Sequence, residues 1–382
     1  DLVTEEVGPG VYRVLSDEAG HDLVAEPPSG VTIAPDGSVW LLRATPQDPD
    51  AGWAALFGVD AVLELGRSGT YPLEPDEPTA SDFVDIAVGS EGAAWVSVGS
   101  KPQDGRWGGT SAQGRLASID DGTWAAPIWP DGSTDVGALE ATSDGAVWVA
   151  RNVEDGPGPS VARVKDGEWI VLPALADPSL EGLYRGPHAS FAAADDGTAW
   201  LANGRITFGG DAAPGPTGLL HYDGERWQVV ELPLDGDDLH AGPLALGPDG
   251  TLWVYVADFS INDRPTHHLA RLDADGWTVF SGRADASGHT LDEADGVPML
   301  STQFYYEARM AVDPDGRLWI AVGGDGGSGD DGNWLYPPSL DPASGPVGLL
   351  AFDGTTWHQY LRGLHVNRVD VTDDGTVFAT AW

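Results

Sequence analysis

Short runs of apolar, β-favouring residues recur along the chain, each beginning just after an Asp-Gly or Glu-Gly pair. Val39-Trp40-Leu41-Leu42, Val147-Trp148-Val149-Ala150 and Leu318-Trp319-Ile320-Ala321-Val322 are apolar throughout rather than alternating, the pattern of a strand covered on both faces. Runs of smaller side chains precede the pair, as in Val31-Thr32-Ile33-Ala34 and Leu244-Ala245-Leu246. The two runs predict a hairpin whose turn holds the glycine, where a positive φ is needed. The phrase occurs seven times, with its glycine at Gly37, Gly92, Gly145, Gly197, Gly250, Gly316 and Gly375.

A second phrase lies between successive hairpins, at 116–124, 161–169, 219–227, 269–277 and 348–357, each ending on a tryptophan; a weaker version occupies 61–71. Here apolar and polar residues alternate, as a half-exposed outer hairpin requires. Each unit then holds four strands in about 50 to 65 residues, the blade pattern of a β-propeller. The expected fold is all-β: a single domain over 1–382, built as a seven-bladed propeller of four-stranded antiparallel blades. The last unit has an inner hairpin and no outer one, while Val11–Gly20 reads as an unattached outer strand and turn. The N-terminal strands are expected to complete the last blade and close the ring, which removes the open sheet edge.

Six of the sixteen tryptophans fall on the inner hairpins and five on the outer ones: Trp124, Trp169, Trp227, Trp277 and Trp357. A large planar ring on an outer hairpin is expected to fill the wedge between neighbouring blades.

These phrases resemble the two-component regulator propeller repeat, in which "v..ia.d.dG.lW.gT" alternates with "gl.ryDG..w..y". The likeness covers nearly the whole chain and reads clearly from Phe352-Asp353-Gly354-Thr355-Thr356-Trp357-His358-Gln359-Tyr360 through Gly363 to Phe378. The resemblance implies an extracytoplasmic, ligand-sensing propeller. More distantly the chain is similar to virginiamycin B lyase propellers, whose blades carry "GPxGI…DGxxWFT" and whose axis holds a metal-dependent site. Repeat residues of this kind build blades and do no chemistry, so the resemblance speaks for fold before function.

Charge narrows the partners. With 60 acidic and 19 basic residues the formal net charge is −41, a field that repels nucleic acid and anionic membrane. No cysteine is present, so disulfides and thiolate metal sites are excluded. No run of 18 apolar residues predicts a spanning helix. The chain begins at Asp1 without a signal-like segment, and the expected location is extracellular, periplasmic or cell-surface, with targeting supplied by sequence not in view.

Candidate chemistry is expected where loops lead into the innermost strands, about ten residues before each repeat glycine. Those positions carry Pro27, Asp82, Asp135, Pro187, His240, Tyr306 and His365, with His188 and Glu307 one place on. His188, His240 and His365 with Glu307 or Asp135 could bind a divalent metal on the axis, although no local ligand spacing marks them as a set. The long loops 44–60, 99–114 and 323–347 carry Trp53, Trp107 and Trp334, rings that either stack on a sugar or other flat ligand or fold down to cover their loops. Tyr306, Arg43 and Arg151 lie near the same face as candidate contacts for a small molecule or glycan; with Arg205 and Arg309, these arginines either offset the acidic field for an anionic ligand or pair with the abundant carboxylates. The segment 325–333 is rich in oxygen ligands and glycine, as a calcium loop is, but lacks the spaced carboxylates and closing glutamate of the helix-loop-helix calcium site. No nucleophile elbow, phosphate loop, His-Glu-x-x-His or Cys-x-x-Cys occurs. Three functions stay open: a ligand-binding or sensory module with its site at the channel mouth, a metal-dependent lyase or hydrolase, and a protein-interaction or assembly module.

Overall fold

The computed structural model describes residues 3–8, 11–16, 23, 28–46, 57–64, 70–72, 84–89, 93–98, 114–120, 123–125, 129–131, 135–136, 138–151, 160–173, 191–202, 218–236, 239–258, 266–281, 309–322, 348–361, 364 and 366–381. They form antiparallel sheets in chain order, with no helix among them. β1 (Val3–Gly8) pairs with β2 (Val11–Ser16). The first four-stranded sheet holds β3 (Pro28–Ile33), β4 (Val39–Pro46), β5 (Phe57–Glu64) and β6 (Thr70–Pro72). In the second, β7 (Val84–Val88), β8 (Ala94–Val98), β9 (Gly114–Asp120) and β10 (Thr123–Ala125) are joined by β11 (Asp135–Val136), which adds beside β9. β12 (Ala138–Ala141), β13 (Val147–Arg151), β14 (Ser160–Lys165) and β15 (Glu168–Val171) form the third, and β16 (Phe191–Ala193), β17 (Ala199–Ala202), β18 (Gly218–Tyr222) and β19 (Trp227–Glu231) the fourth. β20 (Leu239–Leu246), β21 (Leu252–Asp258), β22 (Thr266–Asp273) and β23 (Gly276–Ser281) make the fifth, followed by β24 (Arg309–Val312), β25 (Leu318–Val322), β26 (Gly348–Phe352) and β27 (Trp357–Tyr360). β28 (Val366–Val371) and β29 (Val377–Ala381) close the chain as a pair.

This is a β-propeller arrangement. Among the described residues five sheets have the four strands of a complete blade, one has five, and β1–β2 and β28–β29 stand as two-stranded sheets, fewer complete blades than the seven expected from the repeats. The first strand of each sheet packs on the first strand of the next: β3 on β7, then β12, β16, β20, β24 and β28, which returns to β3.

The described turns of the inner hairpins form as their sequence dictates. In the first, the Gly37 amide donates to Ala34 O at 2.8 Å and the Ala34 amide to Ser38 O at 2.8 Å, a four-residue turn closed by a glycine bulge. Proline at Pro35, Pro248 and Pro314 fits the second position of such a turn. The turn glycines Gly37, Gly145, Gly197, Gly250, Gly316 and Gly375 have φ between 82° and 89°, which a side chain would strain. The aspartate before the glycine steadies the turn: Asp36 Oδ1 accepts the Ser38 amide at 2.9 Å, and Asp249 Oδ1 the Thr251 amide at 2.9 Å.

The core lies between sheets. Trp148 packs with Phe191, Leu201, Leu220 and Tyr222 of the following sheet, and Trp253 with Leu318, Ile320, Phe352 and Trp357. Outer-hairpin tryptophans fill the wedges as expected: Trp169 meets Trp95 of the preceding sheet edge-on at 5.9 Å, Trp227 and Trp277 join the clusters of the preceding sheets, and Trp357 stands with Trp253. Trp129, outside both repeat phrases, is 2% exposed and lies 5.4 Å from Trp169, so it belongs to the same wedge.

Candidate functional site

An axial cavity of about 960 Å³ is lined by the inner strands and their Asp-Gly turns. In a propeller the innermost strand of each sheet has one edge without a strand partner, and that edge faces the axis. Most of the lining side chains are small or apolar, as β16 and β20 show with Phe191, Ala192, Ala193, Leu244 and Ala245. Against this background Asp85 of β7, Glu140 of β12, Arg309 of β24, and Arg368 and Asp370 of β28 all line the same cavity.

Asp85 is the hub. It is 5% exposed, its Oδ2 accepts the Leu139 amide at 3.1 Å, and its Oδ1 accepts Arg368 Nη1 at 2.5 Å. Arg309 Nη2 stands 3.5 Å from Asp85 Oδ2. Arg368 reaches Asp85 from β28 by crossing β3 at Gly30: a Cβ there would lie 3.6 Å from Arg368 Nε and 2.9 Å from Leu42 Cδ1. A side chain there would press on Leu42 and stand in contact with Arg368. Arg309, Asp85 and Arg368 thus form an ionic strap between three inner strands, with one carboxylate shared by two guanidiniums.

Asp370 works the same way toward β3. Its Oδ2 accepts the Ile33 amide at 2.8 Å and its Oδ1 the Val371 amide at 2.8 Å. In both cases an inner-strand carboxylate satisfies an edge amide of a neighbouring sheet. Glu140 differs, because it is half-buried and makes no hydrogen bond among the described residues.

These placements separate the carboxyls electrostatically. Burial alone would raise Asp85, but Arg368, Arg309 and the Leu139 amide outweigh it and hold the group below the usual carboxylate range. Burial, then repulsion from Asp370 and Asp85, pushes Glu140 up to about 8, with Arg309 and Arg368 offsetting part of the rise. Burial lifts Asp370 to about 6 against the hydrogen bonds from Ile33, Val371 and Thr32. At neutral pH the well therefore holds an ionised Asp85, a largely ionised Asp370 and a largely neutral Glu140.

A pH dependence follows. Between 4.5, its ordinary value, and about 8, Glu140 of the folded chain keeps a proton that the unfolded chain has lost, so stability is expected to fall as pH rises through that window. Asp370 adds a loss of the same sign between 3.8 and about 6. Glu140→Gln should flatten the upper part of this slope. Melting both proteins at about pH 5 and about pH 9 checks this, since the variant should gain on the parent at the higher pH; a difference that does not change with pH contradicts it.

The cavity mouth at the turn end is acidic. Asp36, Asp195, Asp196, Asp249, Asp373 and Asp374 line it. Hydrogen bonds from the Thr198 and Thr372 hydroxyls hold Asp196 and Asp374 below the usual range, so both are ionised at neutral pH.

Most of the site residues expected from the sequence are outside the described residues or have only their backbone described. Trp53, Trp107, Trp334, Tyr306, His188, His365, Glu307 and the segment 325–333 lie outside the described residues. Of four others the backbone alone is described. Arg43 sits in β4 opposite Pro28 and Ala61, Arg151 in β13 opposite Ser160, and His240 in β20 opposite Ala257. Asp135 belongs to β11 and pairs with Arg115 of β9, a strand apart from the axis. Among the described residues no group of three or more His, Asp or Glu side chains could hold a metal ion. Arg309, one of the arginines expected near this face, does line the cavity; Asp85, Glu140, Arg368 and Asp370 were missed because they lie seven and five residues before the repeat glycine rather than ten. The signal was present: a charge interrupts an inner strand of small residues at Asp85, Glu140, Arg309, Arg368 and Asp370.

No family model matches the chain, and no curated protein matches it. Solved structures of similar shape include hydrazine synthase of Kuenenia stuttgartiensis, 15% identical over 87% of this chain and 96% of that one, with a TM-score of 0.46. An alpha-L-arabinofuranosidase of Fusarium graminearum is 11% identical over 80% of this chain and 95% of its own, TM-score 0.44. A gluconolactonase of Xanthomonas campestris is 14% identical over 81% and 96%, TM-score 0.38. Likeness at this level lends no substrate to this chain.

Proposed function

We propose that this protein is a ligand-binding or sensory β-propeller module that holds a small polar molecule in the axial well. One observation carries the reading: among the described residues, Arg309 has a single long hydrogen bond at 3.5 Å and the Glu140 carboxyl has none, and both line the same 960 Å³ cavity. Charged groups placed there at the cost of desolvation are what a ligand site requires and a filled core does not. Extracytoplasmic placement rests on the repeat resemblance.

The ring is taken in the same proposal to be seven-bladed, with β1 and β2 as the outer pair of the blade begun by β28 and β29. In support, Val14 of β2 and Phe378 of β29 pack into one cluster with Val31, Val39 and Leu41.

A library of small polar metabolites, screened by thermal shift on the parent and on Arg309→Ala, tests the ligand site. At a hundredfold excess over Kd a ligand for the well should stabilise the parent by about 2.7 kcal/mol and the variant far less. Hits that stabilise both alike, or a library without hits, count against the reading.

A second reading, acid–base catalysis by a hydrolase or lyase in the same well, is favoured by the separation of Glu140 from Asp370. One is neutral and the other ionised near pH 7, as an acid and base pair requires. A metal ligated by His188, His240 and His365 is not needed for it.

A further inference from the structure

We infer that the ligand of the axial well is a small zwitterion of the amino-acid type, its carboxylate on Arg309 and its ammonium toward Glu140 and Asp370. This rests on the proposed ligand site and deepens it.

The order of charge along the axis carries the inference. Deepest from the turns, seven residues before the repeat glycine of their units, stand Arg309 and Arg368 with Asp85 between them. Two residues nearer the turns come Glu140 and Asp370, and the mouth itself is lined by aspartates. A purely anionic ligand would pass the acidic mouth and meet Asp370 with nothing to offset either. A purely cationic one would sit over two guanidiniums that share a single carboxylate. A molecule carrying both charges, cation toward the mouth and anion toward the floor, matches the whole sequence of charges.

Spacing agrees. Two strand residues span about 6.6 Å. A carboxylate and an ammonium on one small molecule, each with a hydrogen bond of about 2.8 Å to its partner, bridge a gap of that order. Among the described residues Arg309 and Glu140 are also largely uncommitted. A guanidinium has five N–H donors, and Arg309 spends one on Asp85 at 3.5 Å. Arg368 is anchored on Asp85 and Asp370 on two amides; Glu140 has no hydrogen bond among the described residues.

The charged groups facing Glu140 are Asp370 and Arg368 of β28, Asp85 of β7 and Arg309 of β24. An ammonium arriving among them favours the ionised form of Glu140, so binding near neutral pH should release a proton. A simple carboxylate ligand would draw a proton in, and a neutral polyol would do neither.

The test is isothermal titration of the full chain at about pH 7.5, in two buffers of different ionisation heat, which reads the sign of the proton linkage. The probes are free α-, β- and γ-amino acids and dipeptides, each beside its N-acetyl and C-amide derivatives, with neutral polyols. The expected result is a zwitterion that binds with proton release and whose singly charged derivatives bind at least about tenfold more weakly. Glu140→Gln should abolish the release while melting as a folded protein. Derivatives or polyols that bind as tightly, or proton uptake, overturn the zwitterion; if Arg309→Ala weakens those hits too, the axial site itself stands. No binding from any probe, or binding indifferent to Arg309→Ala, overturns the zwitterion and counts against the axial site as well.

Discussion

Replacing Asp85 with alanine is expected to destabilise the fold by about 3–5 kcal/mol, the cost of breaking a buried ion cluster from one side. The substitution takes from Arg368, whose side chain is 15% exposed, the carboxylate it pairs with, and removes the acceptor of the Leu139 amide. Asp85→Asn keeps the shape but not the charge, and should recover only part of the loss. Urea denaturation at neutral pH measures both. Removing Arg368 together with Asp85 should cost less than Asp85→Ala alone, because the more buried guanidinium then goes with its partner and only the more exposed Arg309 loses its counter-ion. A loss under about 1 kcal/mol for Asp85→Ala would mean that the guanidiniums find water and that the strap holds nothing.

Trp148→Ala is expected to cost about 3–5 kcal/mol by cavity formation. The ring is fully buried, touches the following sheet through Phe191, 6.0 Å away between centroids, and carries Arg163 over its face at 5.9 Å. Its indole nitrogen has no hydrogen-bond partner among the described residues, so the loss is one of packing and Trp148→Phe should recover much of it. Denaturation of the three proteins checks the order, and a loss under about 1 kcal/mol for alanine would contradict the assignment of this ring to the wedge between sheets.

Both predictions concern buried groups, yet the sequence revealed one of them far more readily. Trp148 stands in a phrase with seven copies, and its register after the turn glycine is enough to bury it. The same holds for Trp169 and Trp357, whose places at the ends of outer hairpins put them in the wedges. Asp85 has no counterpart in such a phrase. Its partners come from β24, β28 and β12, more than fifty residues away along the chain, and no local spacing joins them. Aligning the units on their turn glycines would have exposed these residues as charges among alanines and glycines. Searching ten residues upstream instead led to Asp135, which the structure puts in β11 beside β9. Trp129 was hidden for the opposite reason: it lies outside the repeat phrases, and only the meeting of two sheets shows that it is core.

The same contrast separates scaffold from site. The turn aspartates Asp36, Asp144, Asp196, Asp249 and Asp374 serve their own turn amides, whereas Asp85 and Asp370 reach across to the amides of other sheets. Glu140 reaches none among the described residues, and the proposed function depends on that difference.

A crystal structure of the full chain with the tightest ligand from the screen tests the central claim most directly. The predicted result is density in the axial well, within hydrogen-bonding distance of Arg309 and Glu140. Density on the outer strands or in the long loops, with the well unchanged, would contradict it.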